Sequence, residues 1–168
     1  MRILIVFQLF KKLLHWLVPG TVGLSDGEKI YDSGVRMQRQ GRLDEAVNRY
    51  TEALRVDPSL VQAYSNRGSA YLNLGQPEKA IPDLDQAIQM NPHLAVAYSS
   101  RGLAHTNLSN FSQAVKDLNE AVRLNPNFAD AYSARGFAHR AAGRLNRAIS
   151  DFDQAIRIDQ KFSVAYNN

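Results

Sequence analysis

Residues 61–94 read VQAYSNRGSAYLNLGQPEKAIPDLDQAIQMNPHL, and residues 95–128 read AVAYSSRGLAHTNLSNFSQAVKDLNEAVRLNPNF. The next stretch, 129–162, reads ADAYSARGFAHRAAGRLNRAISDFDQAIRIDQKF. Laid under one another, the three share a glycine at Gly68, Gly102 and Gly136, and Gly34 extends the series backwards. Alanines keep the same 34-residue step at Ala46, Ala80, Ala114 and Ala148, and again at Ala53, Ala87, Ala121 and Ala155. Tyr50, Leu84, Leu118 and Phe152 follow it, as do Pro58, Pro92 and Pro126. A fixed period of this length marks a repeat array, in which no unit can bury its apolar face alone and stacked neighbours do so together. The units are 27–60, 61–94, 95–128 and 129–162.

Within a unit the spacing predicts two helices. The first covers Gln62–Leu74, with Tyr64, Gly68 and Tyr71 along one side. Gly75, and Gly41 and Gly143 at equivalent places, supply the left-handed residue that ends it. The second covers Glu78–Met90 and sets Ala80, Leu84, Ala87 and Ile88 on one stripe. A proline two places beyond closes it. Small residues at Gly68 and Ala80 allow two helix backbones to approach closely.

This pattern resembles the tetratricopeptide repeat, a 34-residue helix–turn–helix unit. The resemblance rests on the aromatics Tyr64, Tyr98 and Tyr132, each four places before its glycine. It rests also on the small and bulky residues of the second helix and on Asn91-Pro92 and Asn125-Pro126. It implies an all-α fold, a right-handed α–α superhelical solenoid of four repeats at 25–162, preceded by an N-terminal amphipathic helix in a leader at 1–24. The departures are Ile30 in place of tyrosine, Ser109-Asn110 in place of the glycine turn, Gln160 in place of the closing proline, and Pro82 inside a second helix, where it is expected to remove a hydrogen bond and bend the convex side.

Arg67, Arg101 and Arg135 each precede an aspartate by 16 places, at Asp83, Asp117 and Asp151. The first unit has Ser33 and Arg49 instead, losing both members together. This covariation within one chain predicts an Arg–carboxylate bridge between the two helices of each later unit. His105 and His139 take the place of Tyr71; a repeat spacing keeps them apart, which favours packing roles over metal ligation.

Nothing in the chain forms a catalytic constellation. A phosphate-binding glycine loop, a G-x-S-x-G elbow and metal-spaced histidines are all missing from the sequence, which also has no cysteine. The expectation is a non-enzyme without cofactor or metal. The 20 basic and 16 acidic residues give a net charge of +4, but Arg2, Lys11 and Lys12 lie in the leader and leave the body nearly neutral. No basic face suited to nucleic acid is legible.

The resemblance implies a concave surface lined by the first helices, where a peptide or helical segment of a partner protein binds. Its places are Asp32, Val35 and Arg39; Ser65, Asn66, Ser69 and Asn73; Ser99, Ser100, Leu103, Thr106 and Asn107; and Ser133, Phe137 and Arg140. Asn66, Asn73, Ser99, Leu103, Asn107, Phe137 and Arg140 are the expected contact residues. Amides can both donate to and accept from a peptide backbone, and Leu103 and Phe137 suit an apolar side chain. The carboxylate clamp of some relatives needs groove lysines, whereas Tyr31, Ser65, Ser99 and Ser133 stand there. Chaperone C-terminal tails are therefore not expected. The reading is a scaffold or adaptor. Its alternatives are a self-associating assembly protein and a non-catalytic accessory subunit that regulates an enzyme.

Both ends raise further expectations. Residues 3–18 are apolar at all but Gln8, Lys11, Lys12 and His15, which share one stripe. A membrane-interfacial helix, an export signal and a helix packed on the first repeat all fit this pattern. Localisation at a membrane surface, outside the cell or in the cytoplasm follows respectively from each. Residues 163–168 begin a fifth unit, with Tyr166 at the place of Tyr132. An uncapped edge there would expose apolar residues for a homo-oligomer or a partner.

Overall fold

A computed structural model describes residues 23–160, and within them the chain forms eight helices and no strand. The leader and the start of a fifth unit lie outside the described residues. In chain order the helices are α1 (Asp26–Arg39), α2 (Leu43–Val56), α3 (Val61–Asn73), α4 (Pro77–Met90), α5 (Ala95–Asn107), α6 (Phe111–Leu124), α7 (Ala129–Ala141) and α8 (Leu145–Ile158). The helices fall in successive pairs; those expected over Gln62–Leu74 and Glu78–Met90 run over Val61–Asn73 and Pro77–Met90.

The signals that stop the helices act as their chemistry dictates. Gly41, Gly75 and Gly143 take φ of +75°, +70° and +73°. Beyond α3, the Gln76 N–H bonds the Tyr71 carbonyl at 2.9 Å and the Gly75 N–H bonds Leu72 at 2.9 Å, closing the last turn. Ser109 adopts the same conformation, at φ +60°, although it carries a side chain. Second helices end on Asp57, Asn91 and Asn125 in extended backbone, as a residue before proline requires. Asp159 ends α8 at φ −135°, ψ 109° without a proline after it. Pro82 lies on the exposed side of α4, and the helix runs through it to Met90. The array opens on a capping box in which Ser25 and Glu28 bond each other's backbone N–H groups.

The core is a line of glycine-on-large contacts. Gly34 faces Tyr50, Gly68 faces Leu84, Gly102 faces Leu118 and Gly136 faces Phe152. A Cβ on any of these glycines would come within 2.5–2.7 Å of the large side chain. Tyr50, Leu84 and Leu118 are fully buried, each such burial stabilising by roughly 1.5–3 kcal/mol. Clusters also cross between units: Ala80, Leu84 and Ala87 pack with Ala97, and Ala114 and Leu118 pack with Ala134 and Ala138.

Stacking sets the curvature. Each first helix touches the next first helix, as α1 touches α3, α3 touches α5 and α5 touches α7. Successive second helices make no such contact. The first helices are thus drawn together on the inner, concave side while the second helices fan apart outside.

Candidate binding surface

Each of the three predicted bridges is present and bidentate. Arg67 donates from Nε and Nη2 to Asp83 at 2.7 and 2.7 Å, Arg101 to Asp117 at 2.8 and 2.7 Å, and Arg135 to Asp151 at 2.9 and 2.6 Å. Fork-to-carboxylate pairing of this kind is directional as well as strong. Each arginine also stacks over a tyrosine of its own helix, Tyr64, Tyr98 or Tyr132, at 5.2–5.9 Å. Its remaining nitrogen, Nη1, reaches back to the second helix of the preceding unit, at Thr51 (2.9 Å), Asp85 (2.6 Å) and Asn119 (2.8 Å). One guanidinium therefore ties three helices. In the first unit Arg49 pairs instead with Glu52 on the surface.

His105 and His139 point Nε2 at the same carboxylates, 3.9 Å from Asp117 and Asp151. Their buried Nδ1 atoms have no hydrogen-bond partner. Burial holds the His139 imidazole below its ordinary pKa, and nearby Arg135, Arg144 and Arg147 act in the same sense, against Asp151. Among the described residues no three His, Asp or Glu side chains converge as metal ligands.

The structure sorts the expected contact residues into two groups. Asn73, Leu103, Asn107, Phe137 and Arg140 are exposed on first helices. Leu103 and Phe137 hold the same place on the neighbouring helices α5 and α7, with 37% and 38% of their surface open. The Arg140 guanidinium lies 4.8 Å over the Phe137 ring, which also meets Phe152 edge-on at 5.3 Å. The second group is committed to packing. Asn66 is half-buried and donates to the Tyr31 hydroxyl at 2.9 Å. Ser99 is only 5% exposed, and Ser65 and Ser133 match it at 4% and 7%. All three hold the same place in their units, where the first unit has the half-buried Tyr31. Ser99, expected as a contact residue, is therefore buried rather than open to a ligand. Ser100 is likewise buried, sharing a hydrogen bond of 3.1 Å with Ser69.

Comparison with known proteins finds repeat models from residue 39 to residue 162. A family model described as TPR repeat matches residues 39–75, and models described as tetratricopeptide repeat match 61–94, 95–128 and 129–162. The chain belongs to the tetratricopeptide repeat family. Tetratricopeptide repeat protein 36 of Caenorhabditis elegans is 39% identical over 56 residues, covering 29% of this chain and 31% of that protein. The chain thus spans about a third of the length of that relative. The crystal structure of MamA is 28% identical with a TM-score of 0.69, over 86% of this chain and 81% of that one. A thermophilic tetratricopeptide protein of Thermus thermophilus shares the fold, with a TM-score of 0.74 at 22% identity over 80% of this chain and 75% of that one. The first tetratricopeptide domain of Spaghetti (RPAP3), solved bound to the HSP90 peptide SRMEEVD, is 28% identical with a TM-score of 0.68. That match covers 73% of this chain and 99% of that one.

Proposed function

We propose that this tetratricopeptide array is a non-catalytic adaptor whose concave surface holds an uncharged peptide or helical segment of a partner protein. One observation carries the reading: Leu103 and Phe137, two large apolar side chains, lie open on adjacent first helices of the concave side. Exposed apolar neighbours rimmed by polar residues mark interaction sites. Here the rim is Asn73, Asn107 and Arg140. An apolar side chain of the partner would sit on the Leu103–Phe137 pair, and the two amides would bond its backbone. The domain of Spaghetti, with its bound peptide, supports a peptide as the kind of ligand. Its acidic sequence does not suit this surface, where Tyr31, Ser65, Ser99 and Ser133 replace the clamp lysines and exposed cations stand apart at Arg39 and Arg140.

The test is selection of peptides from a displayed library on the full chain, followed by titration of the winners. Phe137→Ala, and the pair Asn107→Ala with Arg140→Ala, should each weaken binding about tenfold with the helical signal unchanged. SRMEEVD should not bind. Winners that bind both variants as well as the parent would overturn the reading.

Attachment to a membrane surface through residues 3–18 belongs to the same proposal, supported by the amphipathic pattern of that sequence. No helix among the described residues is long and apolar enough to cross a membrane. Co-sedimentation with anionic vesicles should require the leader; equal behaviour of the full chain and a chain starting at Ser25 would remove the anchor.

A further inference from the structure

The sequence of residues 3–18 has one broad apolar side, and the array offers it two places to pack. The first is ahead of α1, where a stacked helix would meet the face that later first helices turn to the preceding unit. In α3 that face is Ala63, Arg67 and Ala70, with both alanines fully buried and Arg67 bonded to Thr51 of α2. In α1 the same places are Lys29, Ser33 and Arg36, with Lys29 paired to Asp26 at 3.0 Å on the surface. An apolar helix laid there would strip a lysine and an arginine of water without supplying a partner. This face does not suit the leader.

The concave side does. Its row of equivalent places is Val35, Ser69, Leu103 and Phe137, one on each first helix. Leu103 and Phe137 are 37% and 38% exposed, and Val96, two turns before Leu103 on the same side of α5, is 46% exposed. A first helix packs on each flank of α5, so the openness of Val96 and Leu103 owes nothing to the ends of the array. The dimensions agree. Packed helix axes lie about 8–10 Å apart, which puts α7 about 24–30 Å from α1, and residues 3–18 as a helix would span about 24 Å. Residues 19–24 reach about 20 Å when extended. The rise along α1 from Asp26 to Val35 is about 14 Å, so the tether is long enough.

We propose that residues 3–18 fold back as a helix across the concave surface and occupy it, with Leu17 over Val35, Phe7 and Phe10 over Leu103, and Ile3 toward Phe137. The tether fixes this direction, because the end of the leader joined to α1 must lie on the α1 side. Lys11 and Lys12, on the opposite stripe, stay in water. The proposal rests on the concave surface being a site for a helical segment and adds its regulation. A partner must displace a leader held at an effective concentration on the order of millimolar. A membrane surface that takes up the same apolar side would release the groove.

The test is photo-crosslinking in the full chain, with Phe137→p-benzoylphenylalanine in one preparation and Val35→p-benzoylphenylalanine in another. Irradiation should give products of monomer mass, with the crosslink from position 137 mapping within residues 3–10 and that from position 35 within residues 11–18. Crosslinks that avoid residues 3–18, or none, would overturn the proposal. Dimer-mass products carrying the leader would also overturn it, because the occupant would be a second copy. In parallel, peptides from the library selection are titrated against the full chain and its Phe7→Glu, Phe10→Glu variant. The variant should bind about tenfold more tightly, as expected if the parent groove is free about a tenth of the time. Equal affinities would overturn the leader as occupant and leave the concave surface a binding site. A library yielding no groove binder on either chain would fail the concave-surface reading instead, and the crosslinks then decide the leader's position alone.

Discussion

Arg101 and Asp117 face each other through two parallel hydrogen bonds of 2.8 and 2.7 Å, with the arginine's third nitrogen on Asp85 at 2.6 Å. Asp117 has only 8% of its side chain exposed, so the guanidinium rather than water surrounds its carboxylate. The two carboxylates raise the guanidinium's pKa further above its already high value. The arginine therefore stays charged at every pH at which the protein folds.

Replacing Arg101 with leucine should cost about 3 kcal/mol in urea unfolding, because Asp117 is left buried without its counter-charge. Leucine at Asp117 as well should recover a good part of that loss. Asp85→Ala should cost under about 1 kcal/mol, since that carboxylate is 55% exposed and water compensates it. A double-mutant cycle with no coupling between Arg101 and Asp117 would contradict this account.

Ser109 sits at φ +60° where three other turns use glycine. A side chain in that conformation costs on the order of 1 kcal/mol, and glycine does not incur it. Ser109→Gly should raise the melting temperature by a few degrees. Gly75→Ala should lower it by a similar amount through the same backbone strain, because an added Cβ there meets nothing within 4 Å.

Gly102 within α5 tests the opposite case, where space rather than backbone angle decides. Alanine improves helix propensity by about 1 kcal/mol. Its Cβ, however, would lie 2.5 Å from Leu118 Cγ. Overpacking costs about 1–3 kcal/mol, so Gly102→Ala should be destabilising overall despite the better helix former. Thermal unfolding with an unchanged or raised midpoint would show that α5 and α6 can slide apart at little cost.

Buried His139 gives the array an acid-sensitive site. Burial lowers its folded-state pKa below the unfolded value of about 6.5. Between the two values the unfolded chain binds more protons, so stability falls as pH drops below about 6.5 and levels off beneath the folded pKa. Asp151 opposes the shift, and Arg135, Arg144 and Arg147 reinforce it. Changing His139 to tyrosine, the residue at the equivalent place of the second repeat, should flatten the stability profile between about pH 7 and 5. A profile of unchanged slope would place the sensitive group elsewhere.

The groove and the bridges are legible in the sequence to different degrees. A 16-residue Arg–Asp spacing that vanishes as a pair in the first unit is a signal local enough to read. The backward reach of Nη1 is not, because its acceptors Thr51, Asp85 and Asn119 differ in type and share only the ability to accept. Ser65, Ser99 and Ser133 look like solvated polar positions. They are nonetheless buried, at 4%, 5% and 7% exposure, because their places face neighbouring helices rather than water. Leu103 and Phe137 stand out as apolar residues at groove places, and the structure leaves both open.

By itself the sequence determined the period, the helix pairs and the points where they stop, since glycine, proline and helical spacing act over a few residues. It also determined which charges travel together inside a unit. Only the tertiary structure decided what lies between units: which serines are buried and which acceptor each arginine reaches back to. Those outcomes depend on how neighbouring helices stack, and a neighbour 34 residues away leaves no local trace in the chain.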